Sequence, residues 1–241
     1  MSDDARLGRL VPDWTPPPRP EGLQLAGRYA ALAPLSADDH AADLFELFAG
    51  ADAVWDYMPV GPFSSAATFH RWMKEAVEGS DPCFFAIRNL DTGRWEGFCS
   101  LLRIAPEAGS IEVGYIAYSP ALQRTRAATE AQFLLMQWAF EAGYRRYEWK
   151  CNALNLPSRR AAERYGFSYE GVFRQAQVVK GRNRDTAWFA AIDSEWPALK
   201  EAFLAWLAPA NFVGEGRQKE RLGDLTALVR VAADPALRPA R

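Results

Sequence analysis

The stretch "SIEVGYIAYSPALQRTRAATEAQFLLMQWAFEAG", Ser110 to Gly143, decides how the chain folds. Its first nine residues are strand-like, and Ser119-Pro120 breaks the run. From Phe133 the apolar residues take helical spacing up to Gly143, which stops the helix. A strand feeding a helix through a short polar turn presents unpaired backbone amides and a partial positive charge. That is a site for an anion such as a pyrophosphate. A phosphate turn usually carries glycines; this one carries Arg124 and Arg126, followed by small Ala127, Ala128 and Ala131. Small residues let a phosphate approach the backbone, and the arginines add side-chain contacts. Taken alone, the stretch reads equally as an alanine-rich helix start with solvated arginines.

Working outward, hairpin signals lie upstream. "CFFAIRNL" and "RWEGFCSLLRI" are strand candidates separated by "DTG", and "EAGS" turns into the strand from Ile111. Two helices precede them, one from the Ser36 cap to Gly50 and one opened by Ser64-Ser65. Before those, "LQLAGRYAAL" reads as one strand. Downstream come a strand at "YRRYEWKC", a short helix ending at Gly166, strands at "SYEGVFRQAQVV" and "DTAWFAAID" turned by "KGRNR", and a closing helix at "SEWPALKEAFLAWLA". The order predicts an α/β domain with a mixed, mostly antiparallel sheet flanked by helices. Residues 1–21, with "PDWTPPPRPEG", form a Pro-rich arm, 22–208 the domain, and 209–241 a tail partly disordered or docked.

Composition excludes several classes. The 241 residues carry a net charge of -2 with both signs dispersed, so nothing marks a nucleic-acid binder. No apolar run reaches the ~18 residues a membrane span needs, and the N-terminus carries acids where a signal peptide starts basic. Three isolated cysteines and two histidines predict neither a disulfide framework nor a metal site, and point to the cytoplasm.

Three segments together resemble the GNAT N-acetyltransferases, and within them the branch that acetylates ribosomal-protein N-terminal serine or alanine. Gln123-Arg124-Thr125-Arg126-Ala127-Ala128 is similar to the family's pyrophosphate motif, with Arg126 in place of a glycine. "IEVGYIAYSP" resembles the branch's central strand, and "NALNLPSRRAAERYGFSYEGVFR" its segment after it. The resemblance runs from Gly22 to about Leu207 and implies the GNAT fold and acetyl-CoA as co-substrate. It implies that Gln123 to Ala128 hold the pyrophosphate and Asn155 the CoA arm. It also implies that the amides of Tyr115, Ile116 and Ala117 polarise the thioester carbonyl.

Direct transfer needs an amine without its proton. At pH 7 that costs about 1 kcal/mol for an α-amine and about 4.6 for a lysine. The resemblance puts Glu112 beside the amine as general base, directly or through water. It puts Ser158 beside the sulfur as proton donor. Glu112 also reads as an edge carboxylate, and either Asn155 or Ser158 as the cap of "RRAAERYGF". Gly114 is expected to let the ligand come close. Trp55, Tyr57 and Phe63, in "VWDYMPVGPF", are candidates for the acceptor wall or for a core gap. The implied activity is acetyl transfer to a protein N-terminal α-amine. Small-molecule amines and a non-catalytic acyl-CoA-binding module are the alternatives. The expected partners are acetyl-CoA and the acceptor, with a homodimer allowed and no nucleic acid or membrane.

Overall fold

Alternation along each strand sorts the side chains of one eight-stranded sheet onto two faces in the computed structural model, which describes residues 7–237. The strands are β1 (Leu25–Ala26), β2 (Ala30–Pro34), β3 (Cys83–Asn89), β4 (Trp95–Ala105), β5 (Ser110–Tyr118), β6 (Arg146–Asn152), β7 (Ser168–Val179) and β8 (Arg182–Ile192), in the order 1-2-3-4-5-6-8-7. Every neighbouring pair is antiparallel except β5–β6. That pair is joined by helix α3 (Arg126–Glu141), the crossover a parallel connection requires.

Helices α1 (Ala37–Phe48) and α2 (Ala66–Ala76) cover one face over β3 and β4, where Phe84, Ala86 and Phe98 meet Phe48, Phe69 and Met73. The residues between them in sequence, Phe85, Ile87, Cys99 and Leu101, point to the opposite face and pack with α3 and α5 (Trp196–Leu207). The predicted caps are present: Asp39 N donates to Ser36 Oγ at 3.2 Å, and Ser65 and Thr68 form a capping box.

The stretch read as one strand at "LQLAGRYAAL" is instead the hairpin β1–β2. The buried carboxylate of Glu130, on α3, accepts hydrogen bonds from the amides of Arg28, Tyr29 and Ala30 at 3.0, 2.5 and 2.7 Å. Three amides drawn to one carboxylate bend the chain, and a side chain at Gly27 would collide with that carboxylate.

Described parts of both flanking segments touch the domain, while residues 1–6 of the expected arm and 238–241 of the expected tail lie outside the described residues. Tyr144 Oη donates to Pro18 O at 3.0 Å, and the Trp14 indole donates to Glu107 O. After α5 the chain forms the short hairpin β9 (Phe212–Val213) and β10 (Arg217–Gln218), then α6 (Leu222–Ala227), whose Leu222 is buried. Arg159, on helix α4 (Leu156–Arg164), clasps Asp234 through two 2.6 Å bonds, and both side chains are buried. Among the described residues no helix is long and apolar enough to cross a membrane.

Candidate active site

The parallel pair β5–β6 runs only from Ser110↔Arg146 to Val113↔Trp149. Beyond Val113 the two strands part, so Gly114 to Tyr118 have no partner on the β6 side. A bulge in the β4–β5 ladder falls at the same place, and Tyr115 takes a left-handed φ of 48° within it. A cleft of about 1440 Å³ opens there, reaching from the start of α3 to the β7–β8 hairpin.

At one end is the turn into α3. Thr125 is the cap, its Oγ accepting from Ala128 N at 3.0 Å, and Thr125 N is held by Leu122 O. Among the described residues the amides of Arg124, Arg126 and Ala127 have no intramolecular acceptor. Arg124, with φ 65°, is the left-handed residue of the turn. Arg126 needs no glycine's freedom because it is the first residue of the helix. Its guanidinium swings away over the rings of Tyr29 and Phe212, 4.5 and 5.1 Å from their centres. The tail completes this end: Phe212, Arg217 and Arg221 line the same cleft, as does Arg164. Five arginines facing one carboxylate, Asp91, with free helix-start amides, fit a polyphosphate such as the CoA diphosphate.

At the other end, buried Glu112 accepts from Arg103 Nη1 at 2.8 and 2.7 Å and pairs with Lys150 Nζ at 2.9 Å. Lys150 also holds Glu148 at 2.6 Å, and Arg146 bonds Glu148 and Glu170. Burial pushes the Glu148 carboxyl up, but the bonds from Lys150 and Arg146 outweigh it and hold the group below the ordinary range. A carboxylate offers roughly four lone-pair sites, of which these cations take three on Glu112; the free one is on Oε1.

Asn155, not Ser158, caps α4: Ser158 N donates to Asn155 Oδ1 at 3.1 Å. Ser158 Oγ accepts from the Trp149 indole at 3.0 Å, and its own proton is a donor that bears on the neighbouring Cys151 sulfur. Beside it, burial raises the Cys151 thiol to about 11, so it stays protonated. Gly114 makes room for a neighbour: a Cβ there would stand 2.9 Å from Leu102 Cδ2.

The aromatic loop divides. Tyr57 lines the cleft and donates to Leu154 O at 3.3 Å, bridging the loop to the start of α4. Trp55 and Phe63 line a separate cavity of about 190 Å³ with Phe48 and Phe69, inside the aromatic core. Asp185 accepts from Gln175 N at 2.7 Å and from Asn183, which pins the bulge in β7. Arg103, Lys150, Arg184 and the tail arginines were not singled out from the sequence. The signal for Lys150 was present: "RYEWKCN" alternates Arg146, Glu148, Lys150 and Asn152 on one face with Tyr147, Trp149 and Cys151 on the other.

A parted parallel pair thus stands beside a phosphate-type turn, and comparison with known proteins supplies the family. The family model for the acetyltransferase (GNAT) domain matches residues 31–168. A GCN5-related N-acetyltransferase from Brucella melitensis is 49% identical, with a TM-score of 0.88 over 90% of this chain and 100% of its own. A probable acetyltransferase of the GNAT family from Chromobacterium violaceum is 43% identical, with a TM-score of 0.75 over 79% and 96%. An acetyltransferase from Salmonella typhimurium that modifies the N-terminal serine of 50S ribosomal subunit protein L7/L12 shares the fold at 19% identity, with a TM-score of 0.59 over 69% and 96%. No curated protein sequence matches the chain. The chain belongs to the GNAT acetyltransferase family and is an N-acetyltransferase; members of the family use acetyl-CoA as co-substrate.

Proposed function

We propose that the protein transfers acetyl directly from acetyl-CoA to a primary α-amine, with no covalent enzyme intermediate. The observation that carries this reading is the parting of β5 and β6 between the free amides of Arg124 and Arg126 and the buried carboxylate of Glu112. Bound acetyl-CoA supplies an activated acetyl thioester. Gln123 to Ala128 and Asn155 hold its phosphates and arm, and amides from Tyr115 to Ala117 polarise the carbonyl. Glu112 takes the amine's proton at its one free Oε1 site, directly or through a water. Arg103 and Lys150 beside it disfavour an ammonium and so help the amine lose that proton. The Ser158 hydroxyl donates a hydrogen bond to the departing sulfur, which takes its proton from solvent as Glu112 returns the amine's proton to solvent. Tyr57 borders the acceptor space.

For the acceptor, the family resemblance of the motifs supports a protein N-terminal α-amine. A small-molecule amine is the second reading, favoured by the charge of the acceptor end described below. Thiol release from acetyl-CoA, followed with N-terminal peptides and small amines side by side, tests the activity and ranks the acceptors. Acetyl-CoA that stabilises the protein without turnover by any amine would leave only a binding module.

A further inference from the structure

Eight cationic and two acidic side chains line the cleft. At the α3 end, Arg124, Arg126, Arg164, Arg217 and Arg221 face Asp91, a surplus that matches the roughly four negative charges of CoA. At the other end, Arg103, Lys150 and Arg184 face Glu112 alone. Arg103 and Lys150 are both spent on that carboxylate, and Lys150 is shared with Glu148. Arg184 is the cation left over.

Its surroundings do not account for it. Arg184 is half-buried on β8, opposite Gln177 of β7, and both residues line the cleft. Among the described residues its side chain makes no hydrogen bond and no ion pair, and its Nε is buried without a partner. Thr186 Oγ1 and Trp188 Nε1, two and four residues on along the same strand face, are also buried and unpartnered. Opposite them across β6 stand Asn152 and Lys150, so this row shares the sheet face that carries Glu112. Burial above all, with Arg103 nearby, holds the Arg184 guanidinium below its ordinary range, and Glu112 only partly offsets them. Buried donors are normally satisfied, and an orphaned one calls for an acceptor from outside.

We propose that the acceptor carries a carboxylate close to its amine, and that Arg184 is the residue that pairs with it. The inference rests on the acetyltransferase reading of the cleft. A guanidinium and a carboxylate match as a planar two-bond pair, which fixes where the neighbouring amine sits. The amine then lies on the Glu112 side of the carboxylate. The chemistry has two sources, a free amino acid or a peptide N-terminus followed by an acidic residue.

The test is acceptor specificity by thiol release from acetyl-CoA. Alanine, serine and phenylalanine are compared with their carboxamides and with ethylamine, ethanolamine and phenethylamine. The peptide amide Ser-Asp-Gly is compared with Ser-Asn-Gly. The wild type should favour the carboxylate member in one series by about 100-fold in kcat/KM, and which series shows this names the source. Arg184→Gln should reduce that preference to within about threefold, mainly through KM, with KM for acetyl-CoA unchanged. Arg184→Lys should keep part of it. Neutral amines used as well as their carboxylate partners would overturn the proposal without any variant. So would an Arg184→Gln protein of wild-type melting temperature that keeps the preference, or a panel in which no carboxylate-bearing amine is acetylated. In that last case a melting temperature still raised by acetyl-CoA shows that only the acceptor class has failed.

Discussion

The two ends of the cleft are both cationic, but they hold their charge differently. At the α3 end the arginines come from three separate segments, and Arg126 is steadied by aromatic faces and a 3.5 Å contact with Asp91. At the β6 end Glu112, Glu148 and Lys150 sit nearly out of water, and each of the two acids is bound to two cations. The first arrangement suits a ligand that brings its own charge and must leave again. The second fixes a carboxylate in one orientation, and its members depend on one another because low dielectric makes an unpaired charge expensive. Substitutions at the α3 end should therefore weaken binding in small, separable steps, whereas those at the β6 end should act together and on turnover.

The largest effect should come from the clasp that holds the tail against the α3 end. Asp234→Ala leaves the Arg159 guanidinium buried without its counter-charge, with Ala153 O as its remaining acceptor, a loss of about 3–5 kcal/mol. Melting should show it, and acetyl-CoA should recover part of the loss if Arg217 and Arg221 touch it. An unchanged melting temperature would mean the tail is not fastened there.

Next is Glu112→Gln. It keeps the shape, removes the proton acceptor and leaves Arg103 and Lys150 sharing a neutral amide. Turnover near neutral pH should drop about 10²-fold or more, with a smaller drop at high pH where the amine is already free. If the pH profile is identical to wild type, the base lies elsewhere, and the contrast between the two ends loses its catalytic half.

Arg126→Ala is smaller. The Kd for acetyl-CoA, measured by calorimetry, should rise about tenfold with kcat nearly constant. A fall in kcat alone would put Arg126 on the wrong side of the comparison.

The smallest effect separates Asn155 from Ser158. Asn155→Ala removes the α4 cap and should cost about 1 kcal/mol in a denaturant titration. Ser158→Ala removes no cap and should lower kcat with little change in CoA affinity. Should the Ser158 variant be fully active, its hydroxyl only steadies Trp149.

Much of the fold was legible because it rests on local rules. Ser36 and Ser65 cap their helices, "DTG" turns its hairpin, and the turn after Tyr118 opens a helix at Arg126. The hairpin β1–β2 was not legible, because its bend depends on Glu130, about a hundred residues further on. In the site, Glu112, Ser158 and the Gln123–Ala128 turn were named from motifs and all line one cleft, apart from Ala127, which is buried behind it. Trp55, Tyr57 and Phe63 were expected together, either at the acceptor wall or in a core gap. A 3-10 turn over Asp52–Trp55 and the packing of Phe63 on Phe69 send Trp55 and Phe63 to the aromatic core.

The sequence by itself determined the strands, helices and phosphate-type turn, since periodicity, caps and breakers act within a few residues. It also carried the family, through three motifs in order. Only the tertiary structure decided which charges are spent and which is left. Arg103 and Lys150 meet Glu112 because β4, β5 and β6 lie side by side, and among the described residues Arg184 lacks a partner because β8 brings it to a face where Glu112 and Glu148 are already paired. Pairing across a sheet is a contact between distant residues, and a charge's partner is set by that geometry rather than by its neighbours in the chain.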